Sequence, residues 1–180
     1  MTDYEGDFLK HHHDVLEMNS VKGFVITVST SKYRELLRGL KPDDVSGDLA
    51  ERMIRERGGH VIGRALVDDD IKMIREKIEE ILSGTDANLI IVTGGTGFSP
   101  RDVTVEALKP LFEKEIIGFG EIFRYLSYQK NGGIAMLSRA TAGIIRGRVV
   151  VLLPGSPDGV RLGMELILDQ ITHILSLIRS

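Results

Sequence analysis

The chain of 180 residues contains no cysteine and no tryptophan. Without cysteine there are no disulfides, no thiolate metal ligands and no cysteine nucleophile. Any chemistry must come from carboxylate, hydroxyl, imidazole, basic or backbone groups. No apolar run approaches the ~20 residues of a membrane span, and the N-terminus lacks the apolar core of a secretory signal. A cytoplasmic protein without membrane attachment is therefore expected. Positive charge is not in excess either: 23 Lys and Arg face 26 Asp and Glu, for a formal net charge of −3. That balance argues against a nucleic-acid partner, which usually selects a basic surface. The charge is also uneven, with 16 basic and 22 acidic residues in 1–117 against 7 and 4 in 118–180. An anionic ligand would need a local site, because the overall field does not attract it.

The length suits one domain with an ordinary core. Residues 1–20 read as an acidic N-terminal extension and 21–180 as a single α/β domain. The run His11-His12-His13 receives no role, since consecutive histidines on a short stretch rarely converge on one metal. From Val21 the pattern alternates. VKGFVITVS, HVIGRALV and NLIIVT read as strands, the last a continuous apolar run of the kind buried on both faces of a parallel sheet. Between them lie two helical patterns. SGDLAERMIRERGG places Leu49, Met53 and Ile54 on one face, and a second helix opens at Asp68-Asp69-Asp70, carries Ile71, Ile74, Ile78 and Ile81, and ends at Gly84. Helices are expected near 103–113, 119–130 and 158–178, with IIRGRVVVLL a hairpin or a further strand. Phe119, Ile122, Phe123 and Leu126 form an apolar set that suits a core or an interface. The alternation predicts a three-layer α/β/α fold with a mostly parallel central sheet and ligands at the carboxyl ends of its strands.

The most informative segment is Ile91-Val-Thr-Gly-Gly-Thr-Gly-Phe-Ser-Pro-Arg-Asp-Val-Thr. It follows a buried strand and precedes a helix. Its glycines allow a sharp turn that aims several N–H groups at one anion, and a helix N-terminus would add positive potential. A tight strand-to-helix turn is the plainer alternative. The loop is not a P-loop, because no Gly-Lys-Ser/Thr follows, and Pro100 occupies the third glycine position of a dinucleotide fingerprint. Arg101 and Asp102 add a cation and a carboxylate, which suits a phosphate and its metal.

TGGTGxxxRDxT resembles the signature of the MogA/MoaB family, which includes the G domain of gephyrin. Further blocks agree in order: Asp44-Val-Ser-Gly, Val67-Asp-Asp-Asp, Gly118-Phe-Gly-Glu-Ile-Phe-Arg-Tyr-Leu-Ser, Ala135-Met-Leu-Ser-Arg-Ala and Leu153-Pro-Gly-Ser-Pro. The resemblance covers about residues 21–178. It implies a molybdopterin-binding fold that self-associates as a trimer or hexamer. The implied activity is that of a nucleotidyltransferase of molybdenum-cofactor biosynthesis, moving AMP from ATP to molybdopterin and releasing pyrophosphate. Thr93, Gly94, Gly95, Thr96, Gly97 and Arg101 would bind the nucleotide phosphates, with backbone N–H groups of Gly94–Gly97 as donors. Asp69 and Asp102 would be the catalytic carboxylates and would hold Mg²⁺. Ser138, Arg139, Pro154, Gly155 and Ser156 fall on the molybdopterin side, and Asp44, Ser46, Glu121 and Arg124 on supporting positions.

Two positions depart from the family pattern. Ser29-Thr30-Ser31 stands where many relatives have Ser-Asp, and Asp68 replaces a proline. The second change leaves Asp68 and Asp70 as alternatives to Asp69, which is chosen by counting to the apolar Ile74. Plainer roles also exist: Asp69, Asp44 and Ser46 as helix caps, and Arg124 and Arg139 as solvated or paired cations. A non-catalytic molybdopterin carrier of the same fold is the alternative function. A CinA-like enzyme fits less well, given Thr96 and Arg101-Asp102, and a MoeA-type protein would carry additional domains.

Overall fold

A computed structural model describes residues 16–180. His11, His12, His13 and most of the acidic extension lie outside the described residues. The strands are β1 (Lys22–Val28), β2 (His60–Val67), β3 (Leu89–Thr93), β4 (Lys114–Glu115), β5 (Thr141–Ile145) and β6 (Arg148–Leu153). The helices are α1 (Thr30–Leu37), α2 (Val45–Glu56), α3 (Ile71–Gly84), α4 (Thr104–Leu108), α5 (Ile117–Asn131) and α6 (Pro157–Arg179). The six strands form one sheet in the order β2-β1-β3-β6-β5-β4. β2, β1, β3 and β6 run parallel, while β5 and β4 pair antiparallel at one edge.

Period-two alternation divides the core into two layers. On β3 and β6, Leu89, Ile91, Val149, Val151 and Leu153 face one way, against Leu49 and Ile54 of α2, Phe119 and Phe123 of α5, and Met164 and Ile171 of α6. Ile90, Val92, Val150 and Leu152 face the other way, onto Ile74, Ile78 and Ile81 of α3 and Leu108 of α4. All five β3 side chains are buried, as a strand covered on both faces requires. Each fully buried Ile or Leu contributes about 1.5–3 kcal/mol of transfer free energy, so these layers fix which way each strand faces.

The segment IIRGRVVVLL is a hairpin. Arg146 (φ 47°) and Gly147 (φ 71°) form its turn, the paired positive φ values of a two-residue connection. The helix expected over 103–113 is shorter: α4 has five residues, a 3-10 turn follows at Lys109–Leu111, and β4 begins at Lys114. Pro110 ends the helix there by removing a donor. Helix α1 was absent from the periodicity because it buries no residue. Of the apolar set on α5, Phe119 and Phe123 belong to the core, whereas Ile122 is exposed. No helix among the described residues is long and apolar enough to cross a membrane.

Candidate functional site

The connection from β2 to β3 passes over β1, so the strand order turns back between β1 and β3. In an open α/β sheet such a switch point leaves a crevice at the carboxyl ends of the strands. Here the crevice collects the loop after β1, the acidic turn after β2, the glycine loop after β3 and the Pro-Gly-Ser turn after β6.

The glycine loop is held tightly at its base. Gly94 donates its N–H to the Leu153 carbonyl at 3.0 Å, and Thr93 Oγ1 donates to the Pro154 carbonyl at 3.0 Å. Thr104 donates twice, from its hydroxyl to the Gly94 carbonyl (2.8 Å) and from its N–H to the Gly95 carbonyl (2.9 Å). Gly94 has φ 101°, and a Cβ there would strike the Val28 carbonyl of β1; Gly95 has φ 63°. Both positions therefore demand glycine. Above this base, the N–H groups of Gly95, Thr96, Gly97 and Phe98 donate to no acceptor among the described residues. Of the expected donors Gly94–Gly97, the Gly94 N–H is already engaged, because it extends the sheet to Leu153. The helix that follows is a single turn, too short to add much dipole field.

Two carboxylates flank the loop. Asp69 Oδ2 accepts from the Thr30 N–H at 2.9 Å and the Thr30 hydroxyl at 3.1 Å. Its Oδ1 faces Gly95, since a Cβ added there would stand 2.8 Å away. Asp102 Oδ2 accepts from the Ser99 N–H at 2.8 Å and lies beside Gly97, where an added Cβ would stand 2.7 Å from it. Oδ1 of each residue accepts no hydrogen bond among the described residues. The neighbours of Asp69 do other work. Asp70 caps α3 through the Met73 N–H at 2.8 Å, and Asp68 Oδ1 accepts from the Asp69 N–H at 2.8 Å and shares the single Thr30 hydroxyl proton with Asp69. Of the three acids, Asp69 is the one set against the glycine loop.

A cavity of about 500 Å³ opens on the other side of the loop. It is lined by Gly95, Thr96, Gly97 and Asp102 together with Ser138, Pro154, Gly155, Ser156 and the apolar Ile134 and Leu137. It therefore joins residues assigned separately to nucleotide and molybdopterin. A second cavity of about 320 Å³ shares Ile134, Ser138, Pro154 and Ser156 with it and adds Lys130 and Arg161. Arg101 is exposed and has no ion pair among the described residues. Arg139, by contrast, is bound to the carbonyls of Thr96 and Asp102 and to Glu106.

Of the supporting positions, Asp44, Ser46 and Arg124 tie the frame together. Asp44 is buried, caps α2 through the Gly47 N–H (3.2 Å), and pairs with Arg64 (2.6 Å) and the Thr27 hydroxyl. Burial raises its carboxyl pKa, but the hydrogen bonds from Thr27, Arg64 and Gly47 outweigh burial and hold it below the ordinary carboxylate value. Ser46 Oγ donates to the Gly155 carbonyl at 2.8 Å and so anchors the Pro-Gly-Ser turn. Arg124 donates to the Ala140 carbonyl at 3.2 Å, and Glu121 is exposed on α5; neither lines the cavity. Thr30, Thr104 and Glu106 were not singled out from the sequence. Thr104 is the final threonine of TGGTGxxxRDxT, so a signal for it was present. Thr30 carried only its departure from Ser-Asp, and Glu106 carried none.

These features define an α/β protein with a glycine loop at a sheet switch point, flanked by two carboxylates and bordering a cavity. The chain belongs to the family described as "Probable molybdopterin binding domain", which matches residues 24–173. It is 41% identical over 163 residues to the "Probable molybdopterin adenylyltransferase" of Methanocaldococcus jannaschii, covering 91% of this chain and 97% of that one. It is 45% identical over 137 residues to the "Molybdopterin adenylyltransferase" of Pyrococcus furiosus, covering 74% and 79% of the two chains. Among solved structures, the "tungsten cofactor synthesizing protein MoaB" from Pyrococcus furiosus superposes with a TM-score of 0.79 at 39% identity, over 89% of this chain and 98% of that one. The MogA/MoaB resemblance of the sequence is borne out.

Proposed function

We propose that this protein is a molybdopterin adenylyltransferase that transfers AMP from Mg-ATP to the terminal phosphate of molybdopterin. The observation that carries this reading is the run of N–H groups at Gly95–Phe98 that have no acceptor among the described residues, three of them on residues that line a cavity shared with Ser138 and Pro154–Ser156. One half of the cavity suits a polyphosphate, and the other lies beside it for an acceptor. The names borne by the relatives supply the identity of both.

In the reaction, an oxygen of the acceptor phosphate attacks the α-phosphorus of ATP. A new P–O bond forms as the bond to the β-phosphate breaks, and pyrophosphate leaves with the electron pair. A phosphate monoester has a second pKa of about 6, so the acceptor is mostly dianionic at neutral pH and needs no base. Repulsion between the two anions opposes the reaction. The chain's task is to hold both in line and to offset their charge. The loop N–H groups would receive phosphate oxygens, the exposed Arg101 would add a cation beside the loop, and Ser138 with the 154–156 turn would seat the acceptor.

Asp69 and Asp102 suit Mg²⁺, because each fixes one oxygen on a loop donor and leaves the other without a hydrogen-bond partner among the described residues. No group of three or more His, Asp or Glu ligands gathers among the described residues, and Mg²⁺ on a nucleotide commonly takes only one or two carboxylates beside phosphate and water. When bound there, Mg²⁺ supplies neutralisation of polyphosphate charge. A trimer, or a pair of trimers, is the assembly proposed. Exposed Ile117, Ile122 and Tyr125 on α5 support it, with an apolar groove of about 480 Å³ between α5 and α6.

Incubating the purified chain with molybdopterin, Mg²⁺ and ATP tests the function. Conversion to adenylyl-molybdopterin is expected. Molybdopterin binding without conversion would establish a carrier instead.

A further inference from the structure

Arg139 contacts the glycine loop at two carbonyls and its helix at a carboxylate. Nε donates to the Thr96 carbonyl and Nη2 to the Asp102 carbonyl, each at 3.2 Å. Nη2 also donates to Glu106 Oε2 at 3.3 Å, and Nη1 pairs with Glu106 Oε1. The Phe98 ring lies against the guanidinium, its centroid 5.3 Å from Cζ. An arginine has five N–H donors in a fixed fork, and four of them are engaged here.

This commitment argues against direct phosphate binding. An incoming phosphate would meet a guanidinium already neutralised by Glu106, and would have to displace that carboxylate or sit beside its charge. The carbonyl contacts have a consequence of their own. A trans peptide is planar, so its C=O and the next N–H point in opposite directions. Turning the Thr96 carbonyl toward Arg139 therefore turns the Gly97 N–H away from it. The Asp102 carbonyl is fixed in the same grip, at the residue whose carboxylate flanks Gly97.

We infer that Arg139 is a positioning residue, bracing the glycine loop through the carbonyls of Thr96 and Asp102 while Glu106 holds its guanidinium in place. The inference rests on the proposed function only in naming ATP as the ligand of that loop. Because Arg139 follows Ser138, the brace also ties the molybdopterin side of the cavity to the nucleotide side.

Arg139→Lys and Glu106→Ala test it against the wild type, with circular dichroism to verify folding. Two quantities are measured. One is hydrogen exchange, without ligand, at the Asp102 and Thr104 amides, which donate to the Ser99 and Gly95 carbonyls. The other is Mg-ATP affinity by calorimetry. A lysine keeps the charge but loses the fork that spans separate acceptors. Arg139→Lys should then speed exchange and weaken Mg-ATP, each on the order of tenfold, as expected for losing charged hydrogen bonds. Glu106→Ala should move both in the same direction. A phosphate ligand predicts the opposite for Glu106→Ala: the guanidinium is released and Mg-ATP binds more tightly. That tightening, or a loss of affinity in Arg139→Lys with unchanged exchange, overturns the inference. If the wild type binds no Mg-ATP the proposed function fails, while the exchange rates still decide the brace.

Discussion

Thr30 meets Asp69 at two points: its N–H donates to Asp69 Oδ2 at 2.9 Å, and its hydroxyl shares a single proton between Asp68 Oδ1 and Asp69 Oδ2, the latter 3.1 Å away. The pairing turns Oδ1 toward Gly95 and joins the loop after β1 to the turn after β2. The same hydroxyl reaches Asp68, so one threonine organises two acids.

Removing that hydroxyl should loosen Asp69 without removing it. Thr30→Val keeps the N–H contact and the shape. Partners of metal-binding side chains typically matter by about 10–100-fold, so adenylyl transfer should fall within that range and require more Mg²⁺ for half-maximal rate. Thr30→Ser should restore most of the activity. An unchanged Mg²⁺ titration in Thr30→Val would show that Asp69 is positioned without the hydroxyl.

Gly95→Ala should disable the loop. A left-handed conformation costs a non-glycine residue about 1–2 kcal/mol, and the added Cβ would press on Thr104 Oγ1 and on Asp69 Oδ1. Mg-ATP affinity, measured by calorimetry, should drop by more than about tenfold from strain of that size. Circular dichroism should remain that of the wild type, because the layers formed by β3 and α3 do not depend on Gly95. Wild-type affinity in the folded variant would rule out phosphate approach at this backbone.

How much of this was legible follows from what each residue needs to be recognised. The parallel strands were readable because β3 is buried on both faces and shows as an uninterrupted apolar run. Helix α1 was not, since none of its residues is fully buried and Leu36 and Leu37 are exposed. The five-residue α4 is likewise too short for a period of 3.6 to register. At the site, the glycines and Asp102 were legible as a local string. The choice among Asp68, Asp69 and Asp70 rests in the sequence only on counting; in the structure they differ in position, Asp70 capping α3 and Asp69 turning Oδ1 toward Gly95. The Arg139–Glu106 pair spans 33 residues, and no local pattern could have revealed it.

The pH dependence of stability should show Asp44. Its carboxyl is held below the ordinary value of 3.8 in the folded chain. A depressed folded pKa contributes stability that is complete above the unfolded value and is lost as pH falls through the folded value. Asp44→Asn should therefore cost about 2 kcal/mol at pH 7, the scale of a buried charged hydrogen bond. Urea unfolding of both proteins should show the gap narrowing below about pH 4. A gap that stays constant down to pH 2 would contradict this account of Asp44.

The apolar surface of α5 should be covered in solution. Ile122 is 51% exposed and Ile117 62% exposed. Sedimentation equilibrium at micromolar concentration should give a trimer or hexamer, and Ile122→Glu should shift it toward monomer. A monomeric wild type would defeat the proposed assembly.

In the proposed reaction, Asp102 and the glycine loop promote adenylyl transfer to a phosphate that needs no base. The most direct test is the pH–rate profile of wild type and Asp102→Asn, following adenylyl-molybdopterin and pyrophosphate together. In the wild type the two products should appear one for one, and only when molybdopterin is present. The rate should rise through about pH 6 as the acceptor ionises. Asp102→Asn should be slower by orders of magnitude, with its residual rate rising over the same range. Loss or displacement of that ascending limb in the variant would make Asp102 a general base; full activity in Asp102→Asn, or no product from the wild type, would contradict the account.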